Sequence, residues 1–315
     1  MPSYWQLMLL VLPVFALIGV GVGVRRLGWM EGEAETSLIR LVVNMLYPCL
    51  IFESIAGNEA LRSADNLVMP PLVGFGVTFL GMRAGLLVAR LIGLQVGNGM
   101  RTFALSAGIT NYAYLPLPIM AGIWGSQSTG VLFVHNLGVE AAVWTVGLLI
   151  LSGLSLREGW RKLISPMFVS LVLAVVSNLT GFTPLIPKLA MDTLHALAVC
   201  AIPLGLIMTG VNLANYLHTP SELFDLKVSG AANLLRMAIL PVLMLLLARY
   251  LPCSIELKRV IVVQAAMPSA VIPILLSRLY GGHPRTAVQI VLTTTALGVI
   301  MIPLWLRVGL AWIGG

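Results

Sequence analysis

Two apolar segments of the chain are interrupted by prolines, at corresponding places in its two halves. Residues 111–118 are Asn-Tyr-Ala-Tyr-Leu-Pro-Leu-Pro, and residues 268–273 are Pro-Ser-Ala-Val-Ile-Pro. At an offset of 157 positions, Pro116 is matched with Pro273. Proline removes a helical hydrogen bond and clashes with the preceding turn, so each segment predicts a broken helix.

The composition places these segments in a membrane. Hydrophobic residues make up 58% of the chain and charged residues only 10%, whereas about 25% of the residues of soluble domains are charged. Apolar runs of about twenty residues, each long enough to cross the hydrocarbon of a bilayer, recur from end to end. We therefore predict an all-α integral membrane protein with ten transmembrane helices. They cover residues 5–24, 38–56, 67–89, 102–124, 131–151, 167–181, 190–213, 228–247, 260–279 and 287–313.

The two halves of the chain resemble each other beyond the interruptions. Pro13 and Pro166 open spans one and six, and Pro48 and Pro203 lie inside spans two and seven. Because five spans per half is an odd number, the second half enters the membrane in the opposite sense. We predict a 5+5 inverted repeat, residues 1–154 and 155–315, with the broken helices four and nine crossing. Interrupted helices at corresponding positions of two repeats are typical of a transporter's binding site.

The basic residues favour an orientation with both termini outside. In that orientation the cytoplasmic connections contain eleven Lys and Arg residues and the external connections six, as the positive-inside rule requires. The cytoplasmic group is Arg25, Arg26, Arg40, Arg90, Arg101, Arg157, Arg161, Lys162, Lys227, Arg278 and Arg285. We expect a multi-pass protein of the inner (plasma) membrane, with the lipid bilayer and not nucleic acid as the partner of its net charge of +7.

Several motifs, in the same order along the chain, resemble the auxin efflux carrier family. They are LPVFALIG at 12–19, RRLG at 25–28, YPCLIF at 47–52, Asn111 with its two following prolines, IPLGLIMTG at 202–210 and QAAMP at 264–268. Bacterial members of this family are often called malate or organic-acid permeases, and the plant members are the PIN-type auxin carriers. The resemblance covers nearly the whole chain.

The resemblance implies a fold shared with bile acid symporters and sodium/proton antiporters. Spans one, two, six and seven would form a scaffold, and spans three to five and eight to ten a transport core that moves by elevator-type alternating access. A homodimer through the scaffold is also implied. Plant carriers have a long loop between the halves, whereas here only about 155–165 remains, which indicates a bacterial protein. Ser165-Pro166 stands where plant carriers tend to have Asn-Pro.

The predicted function is secondary active transport of a small organic anion such as a mono- or dicarboxylate. The amino termini of the two second half-helices carry unpaired N–H groups and a positive potential. No Lys or Arg occurs in 108–118 or 264–273, so backbone recognition of the anion is expected. The candidate substrate-binding residues are Asn111, Tyr112, Pro116, Pro118, Gln264, Pro268, Ser269 and Pro273. Asn111 either binds the substrate or satisfies carbonyls freed by the break.

Three further residues are candidates for coupling or gating. Glu140 lies near the middle of span five, where it is either a proton carrier or the partner of a buried donor such as Arg83 or Arg236. His135, five residues earlier, is on a different helical face, so no direct relay is implied. Glu53 lies near the outer end of span two, as a solvated or a gate-lining residue. The two arginines either counter an anionic substrate or extend to the cytoplasmic surface.

Three alternatives compete with this interpretation. A sodium-coupled symporter of the bile-acid type is disfavoured, because residues 264–273 contain no carboxylate for a hard cation. An intramembrane enzyme is not expected, because no zinc or nucleophile motif is present. A membrane sensor or scaffold without transport is the third alternative. No cofactor or metal is expected, since the three cysteines are scattered, and Gly19, Gly21 and Gly23 predict close helix packing, not a nucleotide loop.

Overall fold

The chain folds into helices joined by short connections. The computed structural model describes residues 2–30, 32–152, 163–216 and 225–314, and within these ranges it contains no β-strand. The predicted repeat boundary at residue 154 and the basic connection at Arg157, Arg161 and Lys162 lie outside the described residues. The described α-helices are α1 (Tyr4–Arg26), α2 (Gly32–Leu41), α3 (Tyr47–Ile55), α4 (Asp65–Leu91), α5 (Met100–Gly108), α6 (Pro116–Trp124), α7 (Ser126–Ala142), α8 (Leu148–Ser152), α9 (Pro166–Leu179), α10 (Lys188–Ala214), α11 (Leu226–Leu234), α12 (Leu240–Tyr250), α13 (Ile255–Ala266), α14 (Ile272–Leu279) and α15 (Pro284–Ile313).

Seven continuous helical stretches in the described part of the chain are long and apolar enough to cross a membrane. They are Tyr4–Arg26, Gly32–Ile55, Asp65–Leu91, Ser128–Leu151, Lys188–Ala214, Leu226–Tyr250 and Pro284–Ile313. Three of them contain a π-helical turn, at Val42–Leu46, Val143–Gly147 and Leu235–Ile239. The helix α9, over predicted span six, is apolar but shorter. The all-helical fold of the described residues is thus confirmed and is consistent with a membrane protein, whereas the ten spans and the inverted repeat remain predictions.

Predicted spans four and nine are each formed by two short helices. The helices α5 and α6 are separated by residues 109–115, and α13 and α14 by residues 267–271. Both breaks are at the predicted positions. Residues 102–112 and 260–270 are buried without exception, so the later part of each first half-helix and the start of each interruption are enclosed by the other helices.

Glycines allow several helix pairs to approach closely. In α1, a Cβ added to Gly21 would lie 2.0 Å from the carbonyl oxygen of Ile207 in α10. A Cβ at Gly210 in α10 would in turn lie 2.0 Å from the carbonyl oxygen of Ile18. The prediction of close packing is therefore confirmed for Gly21. It is wrong for Gly19 and Gly23, where an added Cβ would meet nothing within 4 Å.

The helix α4 packs through glycines against both α5 and α7. A Cβ at Gly81 would lie 2.6 Å from the carbonyl oxygen of Gly108 in α5. A Cβ at Gly138 in α7 would lie 1.8 Å from the carbonyl oxygen of Pro71. Small residues let membrane helices pack backbone against backbone, so α4, α5 and α7 form a tightly joined group beside the first interruption.

Candidate functional site

The two interruptions contact each other through their backbones. The N–H of Asn111 donates to the carbonyl of Pro268 at 2.7 Å, and the N–H of Ala270 donates to the carbonyl of Ile109 at 3.0 Å. Breaking a helix inside a membrane frees backbone groups that lipid cannot satisfy. Here part of each broken segment pairs with the other, so the two breaks form one site.

The prolines mark where the second half-helices begin. Pro116 is the first residue of α6, and Pro273 is the second residue of α14. At these positions a missing N–H breaks no intrahelical hydrogen bond. Pro118 follows in the first turn of α6, and Pro268 supplies the carbonyl that receives the Asn111 N–H. Because proline has no N–H, these residues also reduce the number of backbone donors at each half-helix terminus.

The carbonyl of Tyr112 is held by side chains from two other helices. Asn136 of α7 donates to it through Nδ2 at 2.8 Å, and Gln264 of α13 donates through Nε2 at 3.3 Å. Thr110 completes the contact by donating its hydroxyl to the carbonyl of Gln264 at 3.3 Å. The predicted substrate-binding residue Gln264 therefore uses its amide N–H to hold the first interruption in place.

Ser269 is supported by α15. Its N–H donates to the hydroxyl oxygen of Thr294 at 3.2 Å. The Ser269 hydroxyl is fully buried, and within the described ranges neither it nor Oε1 of Gln264 has a hydrogen-bond partner. Both side chains lie at the contact between the interruptions, as predicted, but neither is open to an incoming substrate in this conformation.

Asn111 differs from these residues because its side-chain amide is uncommitted. The residue is 5% exposed, and the amide makes no hydrogen bond to any described residue. The alternative that Asn111 satisfies freed carbonyls is therefore not what the structure shows, since Asn136 and Gln264 do so. An amide can donate to one ligand atom and accept from another, so Asn111 is available for binding.

Backbone donors without acceptors surround Asn111. The N–H groups of Ala113, Tyr114 and Val271 donate to no described residue. All three residues are only partly buried, unlike the enclosed residues that precede them. They lie immediately before the amino termini of α6 and α14, where the helix dipole is positive. The site therefore combines N–H donors that have no described acceptor with the positive ends of two helix dipoles.

Glu140 lies beside the first interruption. Its two carboxylate oxygens accept hydrogen bonds from the hydroxyl of Tyr112 at 2.6 Å and from Nε1 of Trp144 at 2.7 Å. Partnership with Arg83 or Arg236 is thus wrong, because neither arginine reaches it. Tyr112 can donate to a carboxylate or accept from a carboxylic acid, so both protonation states of Glu140 can be hydrogen-bonded at this position.

His135 is near this group but is not bonded to Glu140. Its Nδ1 lies 3.4 Å from Oδ1 of Asn136, and its Nε2 is buried without a partner among the described residues. The expectation that spacing excludes a direct relay between His135 and Glu140 agrees with this geometry. His135 is instead the neighbour of a residue that supports Tyr112.

Glu53 lies apart from the interruptions. Its carboxylate lies 2.5 Å from Nδ1 of His195, within hydrogen-bond distance, and the His195 side chain is exposed whereas that of Glu53 is partly exposed. The pair joins α3 to α10. No hydrogen bond or ion pair connects Glu53 to a described residue of the two breaks, so its gating role stays a prediction.

The two span arginines have opposite environments. Arg83 is exposed on α4, in agreement with a side chain that extends to the membrane surface. Arg236 is 1% exposed, so the expectation that it extends to the surface is wrong. Its π-helical turn packs among α4, α5 and α15, and this packing turns the side chain inward.

Several residues of the site were not predicted. Asn136, Trp144 and Thr294 each hold a predicted residue in position, and Tyr114 packs its ring edge-on against that of Tyr47, with 5.2 Å between the ring centroids. Polar residues within apolar runs were the available signal for Asn136 and Thr294. Which of them would reach the interruptions depends on helix rotation, which the sequence pattern does not specify.

A helical membrane protein with two interrupted helices that meet at its centre has the architecture of a membrane transporter. The comparison with known proteins agrees. The family described as "Membrane transport protein" matches residues 6–158 and 150–306. The chain belongs to this family, the auxin efflux carrier type of membrane transporter, and is not an enzyme.

Two archaeal relatives match almost the full length of the chain. An uncharacterized transporter of Methanothermobacter thermautotrophicus is 29% identical over 302 residues, covering 94% of this chain and 96% of the relative. An uncharacterized transporter of Methanocaldococcus jannaschii is 24% identical over 304 residues, with the same coverage of both chains. The resemblance to auxin efflux carriers is thereby confirmed.

Proposed function

We propose that this transporter is a secondary carrier of small organic anions, namely mono- or dicarboxylates, and that it binds them where the two interruptions meet. The observation that carries the proposal is the set of uncommitted donors at this point. They are the Asn111 amide and the N–H groups of Ala113, Tyr114 and Val271. A carboxylate accepts such bonds and is stabilised by the positive ends of two helix dipoles.

The proposed transport cycle is alternating access by an inverted repeat. The matched positions of the two broken segments support the 5+5 arrangement, and their direct pairing supports a site shared by the halves. Spans one, two, six and seven would be the scaffold of a homodimer. The remaining spans would carry the substrate across the membrane by an elevator movement. We further propose a bacterial inner-membrane location with both termini outside.

Cysteine labelling tests this topology. On a background without the three native cysteines, single cysteines such as Arg101→Cys, Arg157→Cys and Arg285→Cys should react with an impermeant maleimide only in inverted vesicles. The control is Lys188→Cys, which should react in right-side-out vesicles. Reaction of Arg157→Cys from the outside would contradict the inverted repeat.

Uptake by the purified protein in proteoliposomes tests the function. We expect saturable uptake of labelled mono- and dicarboxylates of malate size, with mutual competition for one site. Their amides and esters should not compete, because they lack the charge that the donors and dipoles stabilise. Equal competition by an uncharged analogue would contradict recognition of an anion. Absence of any carboxylate flux would favour the sensor or scaffold alternative.

We propose that transport of the anion is coupled to a cation, and the position of Glu140 supports this coupling. Residues 264–273, at the second interruption, contain no carboxylate that could bind a sodium ion. The structure places a carboxylate beside the first interruption instead, bonded to Tyr112. Proton coupling is our preferred version, and sodium coupling remains the second candidate. Uptake driven by a pH gradient without sodium would support the first, and a strict sodium requirement would support the second.

A further inference from the structure

Arg236 is a buried cation that lacks a counter-charge among the described residues. The residue is 1% exposed, and its only polar contact there is from Nη2 to the sulfur of Met244 at 3.8 Å. Its Nε has no hydrogen-bond partner within the described ranges. An arginine remains charged in proteins, and an isolated charge at membrane depth is costly. The guanidinium therefore requires an anion or other acceptors to occupy its donors.

The depth of Arg236 in the bundle follows from contacts between its helix and α15. Gln289 donates through Nε2 to the hydroxyl of Ser229 at 2.7 Å, and Trp305 donates through Nε1 to the carbonyl of Met237 at 2.7 Å. Ser229 precedes Met237 in one helix, and Gln289 precedes Trp305 in the other. The two helices therefore run side by side in the same direction. Arg236 lies between these two points, next to the Trp305 contact.

The second interruption meets the same stretch of α15. The N–H of Ser269 donates to Thr294, and a Cβ at Gly298 would lie 3.6 Å from Cγ of Pro268. Thr294 and Gly298 both lie between Gln289 and Trp305 in α15. The second interruption therefore meets α15 between the two points at which the helix of Arg236 is bonded to it, and Gly298 lies about 10 Å along the α15 axis from Trp305.

The backbone around Arg236 is also irregular. Its π-helical turn, Leu235–Ile239, separates α11 from α12 and packs against α5, which leads into the first interruption. Single π-helical turns inside α-helices are frequent at functional sites, because they redirect one side chain without ending the helix. Arg236 thus points inward from a helix that touches elements of both interruptions.

We infer that Arg236 is an anion-binding residue of the transport site and that its ligand is a carboxylate of the transported substrate. The inference rests on the proposed function and deepens it. The N–H groups and the Asn111 amide at the interruptions carry no full charge, and Arg236 supplies one from a neighbouring span. A guanidinium can bind both oxygens of a carboxylate through parallel hydrogen bonds. A permanently bound inorganic anion such as chloride is the other source of the same contact.

Transport kinetics of arginine variants test this inference. We expect Arg236→Gln to raise the KM for carboxylate uptake by about tenfold or more, because a charge-assisted contact is lost. Arg236→Lys keeps the charge but loses the planar fork, so its KM should rise by a smaller factor. Arg83→Gln is the matched control, an exposed span arginine that should leave KM unchanged.

Thermal stability in different anions separates the two sources. If the substrate is the ligand, carboxylates should raise the Tm of the wild type and of Arg83→Gln, and should raise that of Arg236→Gln much less at the same concentration. A wild-type Tm that depends on chloride, measured against a bulky sulfonate, together with a normal KM in Arg236→Gln would overturn the inference. If Arg236→Gln does not fold, an unchanged KM in Arg236→Lys would overturn it as well. Absence of carboxylate uptake by the wild type would instead contradict the proposed function itself.

Discussion

The two interruptions have corresponding positions in the chain but different environments. The first, residues 109–115, is the longer one and contains Asn111, two tyrosines and N–H groups that donate to no described residue. The second, residues 267–271, is buried up to Ala270 and is held by Thr294 and by the pairing with Asn111. Corresponding positions in the two halves therefore do not carry the same chemistry.

We infer from this difference that the first break contacts the substrate and that the second break has a structural role. The first interruption presents the side-chain donor, and Glu140 of α7 is bonded to it through Tyr112. The second interruption provides the packed surface against which the first is positioned. We therefore expect substitutions at the first break to change transport, and substitutions at the second to change stability or very little.

The largest effect is expected from Asn111→Ala. Loss of a substrate hydrogen bond in the site should cost about 1 to 3 kcal/mol of binding, so uptake should fall about tenfold or more while Tm stays nearly unchanged. The measurement is uptake per folded molecule in proteoliposomes. Asn212→Ala is the control, because within the described part of the chain the Asn212 amide donates only to the Met208 carbonyl of its own helix. Normal uptake by Asn111→Ala would remove the functional difference between the breaks.

Glu140→Gln is expected to separate net uptake from exchange. Glutamine can accept from Trp144 and donate to the Tyr112 hydroxyl, so the local hydrogen bonds can persist. If Glu140 carries the coupled proton, uptake should lose its dependence on pH while substrate exchange continues, because exchange does not require the empty carrier to reset. A lowered Tm with an unchanged pH profile would indicate that Glu140 only anchors the first interruption.

Gln264→Ala should mainly lower stability. The change removes one of two amides that hold the Tyr112 carbonyl, and a typical hydrogen bond contributes about 0.5 to 1.5 kcal/mol to stability. Asn136→Ala should act in the same way. Because both side chains share one acceptor, the double variant should depart from additivity in thermal unfolding. A normal Tm with abolished uptake in Gln264→Ala would place substrate contacts on the second broken helix.

The smallest effect is expected from Ser269→Ala. Its hydroxyl is fully buried and has no partner among the described residues, and removing an unsatisfied polar group from a buried position is neutral or slightly stabilising. Uptake should stay within about twofold of the wild type on that ground. A tenfold rise in KM would show that Ser269 contacts the substrate in another conformation of the cycle.

The interruptions could be predicted from the sequence because prolines recur at matching positions of the two halves. Proline lacks an N–H and clashes with the preceding turn, but Pro13, Pro203 and Pro303 lie inside continuous helices. The matched positions of Pro116 and Pro273 therefore indicate the breaks, and proline alone does not. The apolar runs could also be predicted, since the length of a span follows from the thickness of the bilayer.

The partners of mid-span polar residues could not be predicted. Spans in a bundle are apolar on most sides, so the hydrophobic pattern gives little information about which face turns inward. Arg236 and Arg83 both read as arginines near the membrane surface, yet one is buried and the other exposed. The partners of Glu140 were missed for the same reason, whereas its separation from His135 followed from helical spacing alone.

The glycine contacts indicate which interfaces of the molecule can slide. Gly21 and Gly210 join α1 to α10, and Gly81 and Gly138 join α4 to α5 and α7, in each case with backbone against backbone. Such contacts interlock and resist displacement. The Gly21 and Gly210 contacts lie within the proposed scaffold. The Gly81 and Gly138 contacts lie within the proposed transport core.

Between the proposed bodies, the contacts at two other glycines are with side chains. A Cβ at Gly122 would meet the side chain of Leu10, and one at Gly205 would meet the ring of Tyr114. Gly130, near the start of α7, is an exception, since a Cβ there would lie 2.6 Å from the Ser54 carbonyl oxygen. Side chains can change rotamer as one surface passes another. If the proposed core moves against the scaffold, it would slide mainly along side chains. The close backbone contact at Gly130 is the place where we expect the movement to be most hindered.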